Sequence, residues 1–197
     1  MEKVRSFIAI ELPAELKQGL AQLQARLKVD NQPGIKWANP NDVHLTLKFL
    51  GNISPTIIDQ ITRGITNAAQ KIPPFTLYVQ QLGAFPSLKP PLIATAALVG
   101  ELDKLSQLQK LLESSLSGLG FAPEPRSFKP HLTLARLRSQ ATPDERQRLG
   151  ELIASTRFET GQGIKVNSIN LMKSQLTRDG PIYSKLSSAG FKKEPLL

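Results

Sequence analysis

Both histidines of this chain open the same four residues. His44-Leu45-Thr46-Leu47 and His131-Leu132-Thr133-Leu134 lie 87 residues apart, and no other histidine occurs. Given the first motif, the chain's own leucine and threonine frequencies return the second by chance about once in a thousand. The chain is therefore read as a duplication, and the same offset can be tested along its whole length.

Phe7-Ile8-Ala9-Ile10 maps onto Ala94-Thr95-Ala96-Ala97, and both read as buried strands. Residues 13–28 map onto 100–115. Leu16, Leu20, Leu23 and Leu27 keep the spacing of one helix face, as do Leu102, Leu105, Leu108 and Leu112. After each motif a helix start follows. Ser54-Pro55 and Thr142-Pro143 each offer an N-cap with proline at the first helical position, and Glu145 is placed for a capping box. Ile57, Ile58, Ile61 and Ile65 line the first of these helices; Leu149, Leu152 and Ile153 line the second. Strand-like runs at residues 75–82 and 164–169 close the two units. Two further strands, 168–176 and 182–187, flank the turn Thr177-Arg178-Asp179-Gly180-Pro181.

The expected fold is α+β: one bilobal, duplicated domain over residues 1–197, pseudo-twofold symmetric. Two mostly antiparallel sheets line a central cleft with helices on the outside. Lobe one spans about residues 1–86 and lobe two about 91–170. The boundary is expected in Phe85-Pro86-Ser87-Leu88-Lys89-Pro90-Pro91, and strands 168–187 complete the sheets.

Composition narrows the function. With 40% hydrophobic and 21% charged residues, the 197-residue chain has the make-up of a soluble globular protein. It has no cysteine, which excludes disulfides, thiolate zinc sites and thiol nucleophiles. The apolar run at the N-terminus is too short for a signal peptide, and no stretch approaches the roughly 20 apolar residues of a membrane span. A soluble, cytoplasmic monomer is expected, without membrane contact. The net charge is +9, spread over both halves: residues 1–98 hold 10 basic and 6 acidic side chains, residues 99–197 hold 15 and 10. Such a field favours polyanions such as RNA or nucleotides; a basic but unspecialised surface is the plainer reading.

In a strand, His44 and Thr46 face one way and Leu45 and Leu47 the other; the second motif repeats this. The leucines anchor each strand while the imidazoles and hydroxyls share a cleft. One neutral imidazole accepts a proton and one charged imidazole donates, and an ordinary pKa near 6.5 lets both forms coexist near neutrality. Threonine hydroxyls donate to non-bridging phosphate oxygens. A metal site is the weaker reading. Catalytic zinc usually takes three protein ligands, and neither motif contains a cysteine or carboxylate. No metal or other cofactor is expected.

In these motifs the sequence resembles the 2H phosphoesterase superfamily, with its two His-x-Thr-x motifs. Within it, the chain is similar to the RNA 2′,3′-cyclic phosphodiesterases, historically called 2′-5′ RNA ligases. The resemblance runs through Arg5-Ser6-Phe7-Ile8-Ala9-Ile10-Glu11-Leu12-Pro13, Ile35-Lys36-Trp37, residues 43–51, Gly83-Ala84-Phe85-Pro86, residues 128–136 and Ser174-Gln175-Leu176. At Leu92-Ile93-Ala94-Thr95 the chain departs from relatives that often carry a tryptophan. The resemblance implies metal-free hydrolysis of a terminal 2′,3′-cyclic phosphate, on RNA or a nucleotide, to a 2′-phosphomonoester. It makes His44 the proton donor and His131 the proton acceptor, an order that the near-symmetric motifs do not fix by themselves. Thr46 and Thr133 then hold the phosphate.

Other candidates carry two readings each. Arg136 lies on the opposite face from His131 in a straight strand, reaching the groove rim or standing in solvent. Tyr183, Trp37 and Phe49 stack on a base or pack in the core, with core packing favoured for Phe49. Lys165, Lys173, Arg178 and Lys185 track an RNA backbone or form a solvated face. Two alternatives stand beside hydrolysis. One is 2′-5′ RNA ligation, in which an RNA hydroxyl replaces water; the other is a non-catalytic RNA-binding module.

Overall fold

A computed structural model describes residues 3–28, 32–158, 161, 163–178 and 180–192. The strands are β1 (Val4–Glu11), β2 (Ile35–Trp37), β3 (His44–Ile53), β4 (Phe75–Pro86), β5 (Pro91–Gly100), β6 (His131–Leu137), β7 (Ile164–Val166), β8 (Ser168–Leu176) and β9 (Pro181–Gly190). The helices are α1 (Ala14–Leu27), α2 (Ile58–Ala69), α3 (Leu102–Ser117) and α4 (Pro143–Ser155).

The expected helix starts form as read. Ser54 Oγ accepts from Thr56 N–H at a single 3-10 turn leading into α2. Thr142 and Glu145 close a reciprocal capping box at α4. The leucines at 16, 20, 23 and 27 of α1, and at 105, 108 and 112 of α3, are buried in one core with Leu45, Leu47, Leu132 and Leu134; Leu102, at the start of α3, is only partly buried, and Leu116 extends that face instead. Asp179 of the expected β8–β9 turn lies outside the described residues; Thr177 and Gly180 close that turn with backbone hydrogen bonds. Among the described residues, no helix is long and apolar enough to cross a membrane.

The fold is α+β, with every strand pair antiparallel. The sheet order is β7-β4-β5-β6-β3-β1-β8-β9, with β2 on β6. The two halves of this order meet at one residue pair, Leu45 against Leu132, so the sheets join edge to edge. Extending that register by one residue sets His44 across from Thr133 and His131 across from Thr46. The pseudo-twofold axis therefore passes between the two leucines.

Two expectations need correction. First, the 86–91 segment is the tip of the β4–β5 hairpin, paired along its length, and so is not a boundary between halves. In sequence β4 closes the first repeat, yet it pairs with β5 and β7; the 164–169 run expected to close the second divides into β7, which pairs with β4, and the start of β8, which pairs with β1. Each repeat gives its last strand to the other half. The helices exchange too: α3 packs on β3 and α2, while Gln24 of α1 reaches the backbone of β6. Second, the constant offset slips by one on the inner strands. Ala9 opposes Thr46 as Thr95 opposes Thr133, which pairs Phe7–Ile10 with Ile93–Ala96. One residue is gained or lost between the inner strand and the motif strand.

Candidate active site

Both motif strands carry a β-bulge at the same place. On β3, Thr46 pairs with Ala9 and Lys48 with Ile8, leaving Leu47 unpaired; on β6, Thr133 pairs with Thr95 and Ala135 with Ala94, leaving Leu134 unpaired. Each bulge turns two successive residues toward the helices and reverses the alternation beyond it. Leu47 and Lys48 face the core in one half, Leu134 and Ala135 in the other. The fifth residue after each histidine's own place therefore returns to the histidine's face: Phe49 in the first half, Arg136 in the second.

Helix side chains reach both bulges from behind. Gln24, fully buried, donates from Nε2 to the carbonyls of Leu134 (3.1 Å) and Ala38 (3.0 Å). Lys48 extends to Glu113 of α3 and to the carbonyl of Ala122.

The two imidazoles are held alike. His44 Nδ1 lies 2.7 Å from the Asp42 carbonyl, and His131 Nδ1 lies 2.7 Å from the Lys129 carbonyl. A carbonyl only accepts, so both Nδ1 atoms carry hydrogen and Nε2 is the nitrogen of each ring left available for proton exchange.

Aromatic rings surround them unequally. Phe7 stacks on His44 with centroids 4.7 Å apart, and Tyr183 meets His44 edge-on at 5.0 Å. Phe85 meets His131 at 5.0 Å. The Tyr183 strand and the His44 strand are three strand spacings apart, about 14 Å in a flat sheet. Rings 5.0 Å apart across that span require the sheet to curl toward this face, making it a groove. Burial among these rings pushes the His44 pKa below its ordinary value, against the opposing pull of Asp42 and Glu11; Lys17 adds to the lowering. Burial likewise raises Tyr183, keeping its phenol protonated.

Charge differs at positions related by the pseudo-twofold. Asp42 precedes His44 where Lys129 precedes His131, and Glu11 opposes His44 where Ala97 opposes His131. The remaining candidates fall on different faces. Phe49 is 65% exposed beside Phe7, so core packing is wrong for it: the bulge moves it to the groove face. Trp37 opposes core-facing Ala135, packs against the core and lies under Lys28, so the face of β2 turned to the groove is that of Lys36. Lys185 is on the groove face, bonded to Glu11. Lys173 lies half-buried on the helix side of β8, opposite Ser6. Lys165 sits exposed on edge strand β7, and Arg178 in the β8–β9 turn. Glu11, Asn170, Phe7 and Phe85 were absent from the sequence candidates. In the sequence Phe7 reads only as strand body, and Glu11 appears only within the segment that carries the resemblance. Among the described residues no three His, Asp or Glu side chains cluster as metal ligands.

A duplicated α+β sheet, curled around two imidazoles that flank its pseudo-twofold axis, is the architecture of a phosphoesterase. The chain belongs to the LigT-like phosphoesterase family, which matches residues 10–94 and 98–183. It is 32% identical to the RNA 2′,3′-cyclic phosphodiesterase of Methanothermobacter thermautotrophicus, over 92% of this chain and 96% of that one. It is 30% identical to the enzyme of the same name from Aquifex aeolicus, over 93% and 95%. The crystal structure of TT0787 of Thermus thermophilus superposes with a TM-score of 0.79 at 26% identity, covering 97% of this chain and 100% of that one.

Proposed function

We propose that this protein hydrolyses 2′,3′-cyclic phosphate ends of RNA or nucleotides to 2′-phosphomonoesters, without metal. The observation that carries this is the matched pair of imidazoles, each tied at Nδ1 to a carbonyl two residues upstream, at one junction with two threonines. His131 Nε2 takes a proton from water as the water oxygen bonds to phosphorus. The P–O3′ bond breaks, and His44 Nε2 gives its proton to O3′. Thr46 and Thr133 donate to the non-bridging oxygens. The uneven charges distinguish the pair: Asp42 and Glu11 pull His44 toward imidazolium against its burial, and at the matching places beside His131 stand Lys129 and Ala97. The RNA 2′,3′-cyclic phosphodiesterases it resembles support the same substrate class.

Turnover of a 2′,3′-cyclic mononucleotide in EDTA tests the reading. Activity is expected in full, with a bell-shaped pH profile. His44→Ala and His131→Ala each lower turnover about 10²–10⁴-fold. Thr46→Ala and Thr133→Ala lower it about 10–10³-fold. A substrate with an activated 3′ leaving group rescues His44→Ala and not His131→Ala. Activity that disappears on chelation and returns with a divalent ion would refute the metal-free route, and near-normal activity in either histidine variant would refute the mechanism.

A further inference from the structure

A twofold site with equivalent surroundings gives its two imidazoles equal proton affinity, so the neighbours must make them unequal. The groups facing His44 are Phe7 and Glu11 from β1, Tyr183 from β9, Lys17 from α1, Asp42 from the segment before β3 and, across the axis, Thr133 from β6. Of these, Glu11 is held in the most elaborate way. Its Oε2 accepts from Asn170 Nδ2 at 2.7 Å and from Lys185 Nζ at 2.6 Å. Asn170 is only 3% exposed, and its Oδ1 has no hydrogen-bond partner among the described residues. A buried, half-satisfied amide is costly, typically about 1–3 kcal/mol. Its bond to Glu11 is what the amide contributes in return. At the matching position of the other half stands Ala97, which can do none of this.

We propose that Glu11 is a positioning residue of this site. Clamped by Asn170 and Lys185, its carboxylate pulls His44 toward the protonated form against the burial of that ring, and Lys185 sets how much of that charge His44 feels. Glu11 touches neither water nor phosphorus in this scheme; it acts through His44. The consequence for turnover rests on the reading of His44 as the acid.

With two histidines in the chain, NMR can follow both imidazoles through a pH titration of the whole protein. Glu11→Gln lowers the His44 pKa and Lys185→Met raises it, each by about half a pH unit, with His131 moving less in both. In rates on a 2′,3′-cyclic mononucleotide, loss of the acid's proton sets the alkaline limb. That limb moves down in Glu11→Gln and up in Lys185→Met. A merely structural pair would move His44 the same way in both variants. That result, an unmoved His44, or an equal shift at His131 overturns the proposal. Absence of turnover in the unmodified protein would instead overturn the assigned reaction, with the opposed NMR shifts still deciding the role of Glu11.

Discussion

His44 is the one imidazole packed between two rings, Phe7 and Tyr183. That burial opposes the charged form and sets the sign of a stability effect. With its folded pKa below the ordinary 6.5, His44 takes up a proton in the unfolded chain before it does so in the folded one. Its contribution to stability is whole above that ordinary value and is lost as pH falls through it toward the lowered one. Removing the ring removes this component. The fall in unfolding temperature between about pH 7.5 and about pH 5.5 should therefore be smaller in His44→Gln than in the natural protein. Equal falls would show that burial of this imidazole is not coupled to folding. The motif residues were legible because their type and spacing are the chemistry. Glu11 was not, since its meaning depends on a register partner and on Asn170, 159 residues away.

At the scale of elements, the paired bulges decide what the groove contains. Strict alternation assigns Phe49 and Arg136 to the buried face; one extra residue in each motif strand returns both to the histidine face. Neither bulge is marked by glycine or proline. The traces in the sequence are Leu134 beside Ala135, two apolar residues in succession, and Lys48 at a place that proves buried. Repeat order, helix faces and caps were readable because each is a local pattern. Strand exchange was not, because a strand's own residues do not say which neighbour it will pair with. Behind the bulge in β6 the Gln24 amide serves the carbonyls of Leu134 and Ala38. Gln24→Leu keeps the volume and orphans the Ala38 carbonyl, while the Leu134 carbonyl keeps its bond from Ala38 N–H at 2.9 Å. It should cost about 1–3 kcal/mol in denaturant unfolding and lower turnover by disturbing Thr133 and Arg136. A variant as stable and as active as the natural protein would show that the bulge holds itself.

For the whole molecule, the curl gathers basic side chains from both halves around one groove: Lys36 and Arg136 from the second, Arg5 and Lys185 from the first. An RNA strand crossing that groove displaces counterions, whereas a cyclic mononucleotide engages little beyond the motifs. Raising salt from about 50 to about 200 mM should lift KM for an oligonucleotide about tenfold or more and leave that of the mononucleotide within about twofold. Parallel rises for both would place the salt effect at the reacting phosphate. The exchange of strands between halves has a bearing on how such a chain is made. On a ribosome β1 emerges well before its neighbour β8, with β2 to β7 and all four helices made in between. Until then β1 has one free edge, with backbone donors and acceptors unpaired beside the apolar Phe7 and Ala9. A nascent N-terminal repeat cannot mature as a finished unit. It must be sheltered or kept loose until β8 is made, and the first half of the groove closes only when β8 and β9 arrive.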